Sequence, residues 1–112
     1  MTGSDLTADR EVGRDADGQV RVAIRLRGLV DLGTQPILEE ALDEAMAVPA
    51  VRAIDVDLSG LTLLDSTGIA TILHAYRLGA TLKIRVRAHG STGMVHRVLD
   101  ITGVLAVLSG ED

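Results

Sequence analysis

The sequence predicts an α/β fold with a single mixed β-sheet of about five strands and helices packed on one face. Segments that are apolar at every second position alternate along the chain with segments of helical spacing. Each strand segment is apolar at alternate positions only, whereas a strand covered on both faces is apolar throughout. One face of the sheet is therefore expected to meet solvent.

Length and composition favour one small domain. The 112 residues are enough for a single core, so residues 1–112 are predicted to form one domain, with 1–9 as a loose N-terminal segment. The core must be aliphatic, because the chain has one Tyr and no Phe, Trp or Cys. A formal charge of −5 disfavours nucleic acid as a partner. Without a signal-peptide pattern or a long apolar run, we expect a cytoplasmic protein with no membrane insertion.

In the first part of the chain the pattern predicts a hairpin and a helix. A short strand at 10–14 is followed by turn-forming residues at 15–18, which favour a hairpin into the alternating segment 19–27. Thr34 can cap a helix with an apolar stripe, and Pro49 marks the end of that helix.

The middle of the chain predicts a central strand at 52–58, a short connection, and a helix that begins at Ser66 and ends near Gly79. The polar face of this strand carries Asp55 and Asp57, whereas the polar faces of the neighbouring strand segments carry Arg and Lys. Placing the acidic strand between two basic ones replaces repulsion with cross-strand pairs, each worth about 0.2–1 kcal/mol.

The last part predicts a basic strand at 81–87, a helix capped by Ser91 or Thr92, and a short closing strand at 104–108. The full order is strand, strand, helix, strand, helix, strand, helix, strand.

The corner at Ser66 is the candidate functional feature. The first turn of a helix has unpaired backbone N–H groups and the positive end of the helix dipole, so it accepts a side-chain oxygen or a phosphate. Two interpretations stay open from these residues alone. Asp65 or Ser66 is a simple N-cap, or Ser66 is a site of modification or binding.

Catalysis has little support in the residues. His74, His89 and His96 are widely spaced and lack a metal-binding motif, so no metal is expected. Ser66 lies outside a G-x-S-x-G motif, and nothing marks a histidine as its base. The glycines form no nucleotide-binding motif. We therefore expect no catalytic residues and no cofactor, and a binding module in place of an enzyme.

Three motifs together carry a resemblance to a known family. Segment 58–69, with Asp65-Ser66-Thr67-Gly68, resembles the D-S-[ST]-G signature of STAS domains, specifically of bacterial anti-sigma factor antagonists. Segment 27–31 is similar to the family's G-x-[LIV]-D, and segment 98–104 to its L-x-x-[ST]-G-[LV]. The resemblance covers about residues 10–108 and implies a STAS-like fold.

The resemblance implies partner switching in transcription regulation. The unphosphorylated protein would bind an anti-sigma factor that is also a serine kinase and so free the sigma factor. Phosphorylation of Ser66 would release the kinase, and a metal-dependent serine phosphatase would reset the cycle. The partner-binding residues implied by position are Asp31, Leu32, Thr34, Asp65, Ser66, Thr67, Gly68 and Thr71.

Two alternative functions fit the same residues. One alternative is a STAS adaptor of a stressosome or transporter system that binds another protein without phosphate cycling. Another is a small enzyme or ligand-binding domain that uses Ser66.

Thr67 stands where many family members have a second serine, which makes it a second candidate acceptor. The chain ends early for the fourth helix that often closes the fold, which would expose apolar surface and favour a homodimer.

Overall fold

The computed structural model describes residues 5–109, which form one sheet of four strands and four helices. Residues 1–4 of the predicted loose N-terminal segment lie outside the described residues. In chain order the elements are β1 (Leu6–Arg14), β2 (Val20–Val30), α1 (Gln35–Met46), β3 (Val51–Leu64), α2 (Ser66–Leu82), β4 (Arg85–His89), α3 (Gly93–Ile101) and α4 (Val104–Ser109).

The sheet has the order β1-β2-β3-β4, and it is mixed as predicted. β1 and β2 form an antiparallel hairpin, and β2, β3 and β4 run parallel. The acidic strand β3 lies between the basic strands β2 and β4, which confirms the order inferred from charge. On its polar face Arg21 of β2 forms an ion pair with Asp55 of β3. Asp57 lies beside Arg25 and His89 in the register of the neighbouring strands.

The helices cover one face of the sheet, and the core lies between the two layers. Along β2 the apolar residues Val22, Ile24 and Leu26 are buried, whereas Arg21 and Arg25 are exposed. The same alternation holds in β4. The prediction of a one-sided sheet is confirmed, since the second face is solvated.

Two strand boundaries differ from the prediction. β1 begins at Leu6, whose side chain is fully buried, so residues 6–9 belong to the sheet. The loose segment predicted at 1–9 was therefore too long. β3 continues to Leu64, so the predicted connection after residue 58 is strand. Beyond Asp57 this strand pairs with β2 alone, because the register with β4 ends at His89.

The end of α2 also differs from the prediction. Gly79 is a residue of the helix, and a Cβ there would lie 2.5 Å from the backbone oxygen of Ile84. The glycine therefore permits close packing and does not end the helix. α2 ends at Leu82, and its C-cap residue Lys83 adopts a left-handed conformation with φ 62°. As a result, β4 is Arg85–His89 and not 81–87.

The predicted closing strand at 104–108 is wrong, because these residues belong to helix α4. Leu108 is buried against the core, and α4 packs on α3 and β4. The sheet of the described residues accordingly has four strands where about five were expected. A short fourth helix is present, contrary to the expectation that the chain ends too early for one.

Candidate functional site

The candidate site is the corner between β3 and α2, where Asp65 caps the helix. Its backbone is extended, with φ −89° and ψ −176°. Its Oδ1 atom accepts hydrogen bonds from the backbone N–H groups of Thr67 (3.0 Å) and Gly68 (3.1 Å). The same oxygen accepts a third bond from the Thr67 hydroxyl at 2.6 Å. Asp65 is therefore the N-cap of α2, a role that the sequence left open between Asp65 and Ser66.

These donors determine the ionisation of Asp65. The hydrogen bond from the Thr67 side chain, followed by that from the Gly68 backbone, lowers the pKa of the Asp65 carboxyl below its ordinary value. Donors stabilise the ionised form, and the positive end of the helix dipole acts in the same direction. The corner therefore carries a fixed negative charge at neutral pH.

Ser66 is free for another role because Asp65 supplies the cap. It is the first residue of α2, its side chain is exposed, and its hydroxyl forms no hydrogen bond within residues 5–109. Thr67 differs in both respects, since it is partly buried and its hydroxyl is engaged by Asp65. The two adjacent hydroxyls are thus unequal in their availability to an enzyme.

The loop between β2 and α1 lies beside this corner and is closed by its own hydrogen bonds. The backbone N–H of Asp31 donates to the Thr34 hydroxyl (3.0 Å), and the backbone N–H of Thr34 donates to Asp31 Oδ1 (3.0 Å). Thr34 holds the N-cap position of α1, but its side chain makes no capping bond to the helix. The loop exposes Leu32 to 76% of its maximum, which presents an apolar side chain to a partner.

Three contacts join the residues that flank this loop to the corner and to α2. The backbone N–H of Asp65 donates to the carbonyl of Val30 at 3.1 Å. Gly68 lies so close to β2 that a Cβ there would be 2.6 Å from Val30 Cγ1. The Gln35 amide donates to the Thr71 hydroxyl at 2.8 Å, which links α1 to α2. Sequence reasoning missed Gln35, although its place directly after the N-cap of α1 is a usable signal.

The eight predicted partner-binding residues therefore lie on two adjoining elements, the loop at 31–34 and the first turns of α2. They do not share one role in the geometry. Thr34 and Gly68 are buried and support the surface from below. Leu32 and Ser66 are exposed and belong to the surface itself.

No hydrogen bond joins the Ser66 hydroxyl to a general base within the described residues. His74 is exposed on α2, His89 is the last residue of β4, and His96 lies 2.9 Å through Nδ1 from the hydroxyl of Ser91. Ser66 thus has no histidine as a hydrogen-bond partner in the part of the chain that the structure describes. None of the helices described is long and apolar enough to cross a membrane.

Comparisons with known proteins agree with this architecture. The family model described as Mlab, STAS domain matches residues 13–109. An anti-sigma F factor antagonist of Paenibacillus polymyxa is 28% identical over 85 residues, which cover 76% of this chain and 73% of the relative. The crystal structure of an anti-sigma factor antagonist from Mycobacterium paratuberculosis is 27% identical, with a TM-score of 0.71, covering 96% of this chain and 87% of that one. The anti-sigma factor antagonist SpoIIAA in its unphosphorylated form shares the fold, at 22% identity and a TM-score of 0.72, covering 93% of this chain and 84% of that one.

Proposed function

This chain belongs to the STAS domain family, and on that basis we propose that it is an anti-sigma factor antagonist whose partner binding is switched by phosphorylation of Ser66. The unphosphorylated protein binds an anti-sigma factor that is also a serine kinase, and the sigma factor is released in the cytoplasm. The protein acts by binding and has no catalytic activity of its own. The two similar proteins described above that exceed 25% identity, from Paenibacillus polymyxa (28%) and Mycobacterium paratuberculosis (27%), are both named anti-sigma factor antagonists, which supports this assignment.

The observation that carries the proposal is the division of roles between Asp65 and Ser66. Asp65 caps α2, so the Ser66 hydroxyl is exposed and unbonded within residues 5–109. A kinase needs such a hydroxyl, because a buried or hydrogen-bonded one has to be freed first. The bond from Thr67 to Asp65 makes Ser66 the preferred acceptor of the two.

Phosphorylation acts at the interface and leaves the fold intact. A phosphate adds a charge of about −1.5 to −2 at neutral pH. At the first residue of a helix this charge is favourable, because backbone N–H groups and the helix dipole face it. Against a partner, the same charge beside ionised Asp65 must be desolvated, which costs several kcal/mol if it is unpaired. Since about 1.4 kcal/mol is tenfold in affinity, this is sufficient to release the partner.

A melting experiment separates the two effects. Ser66→Glu is expected to change the melting temperature little, because the new carboxylate lies at the N-terminus of α2. A large loss of stability in Ser66→Glu would instead place the effect of phosphorylation on folding, and the interface mechanism would be wrong.

The direct test combines mass spectrometry and a pull-down from the native cells. We expect phosphate on Ser66 of the isolated protein, and a partner with a kinase fold that is retained by wild type and lost by Ser66→Asp. Ser66→Asn is the matched control, since Asn has the same shape as Asp without its charge, and it should retain the partner. A metal-dependent phosphatase that removes the phosphate would complete the cycle.

The opposite result favours the alternative function. Unmodified Ser66, with the same partners bound to wild type and to Ser66→Asp, would reject phosphate switching. The protein would then be a constitutive STAS adaptor, as in stressosome or transporter systems, and the corner would be a structural cap.

A further inference from the structure

A second surface of this protein lies between α1 and α2, outside the corner at Ser66. The two helices leave an open groove of about 360 Å³, which we call the acidic groove. Leu42 and Ala75 are buried at its floor, and Met46 and Leu78 line its sides. The carboxylates of Glu39 and Asp43 stand at its α1 edge.

The groove exposes apolar surface that the monomer does not cover. The side chain of Leu78 is 38% exposed and Met46 is half-buried. The facing positions of α2 carry the small residues Ala70 and Ala75, which leave space where larger side chains would fill the gap between the helices. Grooves between side-chain ridges of this kind accept the ridge of another helix.

No basic side chain neutralises the charges at the edge of the groove within the described residues, although Glu39 Oε1 accepts a hydrogen bond from the Gln35 amide at 3.3 Å. Glu39 and Asp43 are four residues apart on α1, and such a like-charged pair destabilises a helix. α1 contains no basic residue, and neither carboxylate forms an ion pair within residues 5–109. Glu44, which does not line the groove, does have a partner, Arg10, at 2.9 Å.

We propose that the acidic groove binds an amphipathic helix of a partner protein that carries Lys or Arg beside a ridge of small apolar residues. The apolar ridge would cover Leu78 and Met46, and the basic side chains would neutralise Glu39 and Asp43. Basic amphipathic helices that insert an apolar face into a groove are a recurrent mode of peptide recognition. Ser66 does not line this groove, although Thr71, one of the predicted partner-binding residues, does; the groove therefore adjoins the corner without including Ser66.

A synthetic helix provides the probe. A fluorescein-labelled peptide of about 14 residues, about 21 Å long as a helix, matches the length of α1. It carries Leu and Ala on one face and Lys and Arg on the flanks. A second peptide has the same composition in an order that destroys the apolar face. Binding to the full chain is measured by anisotropy at neutral pH.

We expect the amphipathic peptide to bind wild type at least about tenfold more tightly than the reordered peptide. Glu39→Lys should weaken its binding by about tenfold, whereas Glu40→Lys, the same change one residue outside the groove, should weaken it by less than about threefold. Ala70→Phe, which fills the groove at an exposed position without changing charge, should also abolish the preference. Ser66→Glu should bind the peptide as wild type does.

Four results would overturn the proposal. Equal binding of both peptides, or equal losses in Glu39→Lys and Glu40→Lys, would mean nonspecific attraction to an acidic helix. Self-association of wild type that disappears in Ala70→Phe, measured by sedimentation, would make a second copy of this chain the occupant. A peptide signal lost in Ser66→Glu would mean that the peptide binds at the corner and not in the groove.

Discussion

The close contact between Gly68 and the sheet makes a quantitative prediction. In Gly68→Ala, the new Cβ would lie 2.5 Å from Leu64 Cδ1 and 2.6 Å from Val30 Cγ1. Carbon atoms are normally about 3.5–4.0 Å apart in contact, so the first turn of α2 or the two strands must shift by about 1 Å. Overpacking of this kind costs about 1–3 kcal/mol, and the better helix propensity of Ala returns at most about 1 kcal/mol. The free energy of unfolding should therefore fall by about 1–2 kcal/mol.

Urea and thermal denaturation measure this loss. A domain of this size is expected to lose about 4–8 °C in melting temperature. Gly13→Ala is the matched control, because a Cβ at Gly13 meets nothing within 4 Å, and it should stay within about 0.5 kcal/mol of wild type. If Gly68→Ala were as stable as wild type or more stable, the close contact of Gly68 with β2 and β3 would not constrain the packing of α2.

Three further changes test other parts of the structure. The pKa of Asp65 is lowered on folding, so its contribution to stability is complete above about pH 4 and is lost as the pH falls through the folded-state pKa. The melting temperature of Asp65→Asn should therefore fall less on acidification than that of wild type. A double-mutant cycle on Arg21 and Asp55 should give a coupling of about 0.2–1 kcal/mol that decreases with added salt. Leu108→Ala should cost about 2–4 kcal/mol in denaturation experiments, because its side chain is 1% exposed.

Three results would contradict these expectations for Asp65, for the ion pair and for α4. An unchanged acid profile in Asp65→Asn would mean that the cap gains nothing from its charge. A coupling near zero would show that the ion pair between Arg21 and Asp55 does not stabilise the sheet. Ile101→Ala, at a position 77% exposed on the neighbouring helix, should be nearly neutral, and a cost equal to that of Leu108→Ala would contradict the packing of α4.

The sequence predicted the central sheet well because its strands are buried on one face only. Val22, Ile24 and Leu26 alternate with arginines, and this period of two has no helical interpretation. The segment 104–108 is apolar at every position, so its pattern is compatible with strand and helix alike. Tertiary packing of Leu108 decides between them, and a sequence pattern does not contain that information.

The candidate site was predictable at its local elements and less so in its long-range contacts. The helix start at Ser66 follows from the change of period and the capping residues around it. The choice of Asp65 as cap depends on backbone dihedral angles that the residue types leave open. The bond from Gln35 to Thr71 joins residues 36 positions apart, and nothing in either local pattern announces it. The end of α2 was wrongly predicted near Gly79, because a glycine can mark either the end of a helix or a close contact.

The hydrogen bonds that close the loop at 31–34 and the corner at Asp65 have a consequence for the timing of the proposed switch. A surface that is ordered before its partner arrives needs no folding step on encounter, so association is limited by diffusion and charge. A charge added at Ser66 then acts mainly on the lifetime of the complex. Exchange of partners would accordingly follow the enzymes that add and remove the phosphate, with no delay contributed by the fold of this protein.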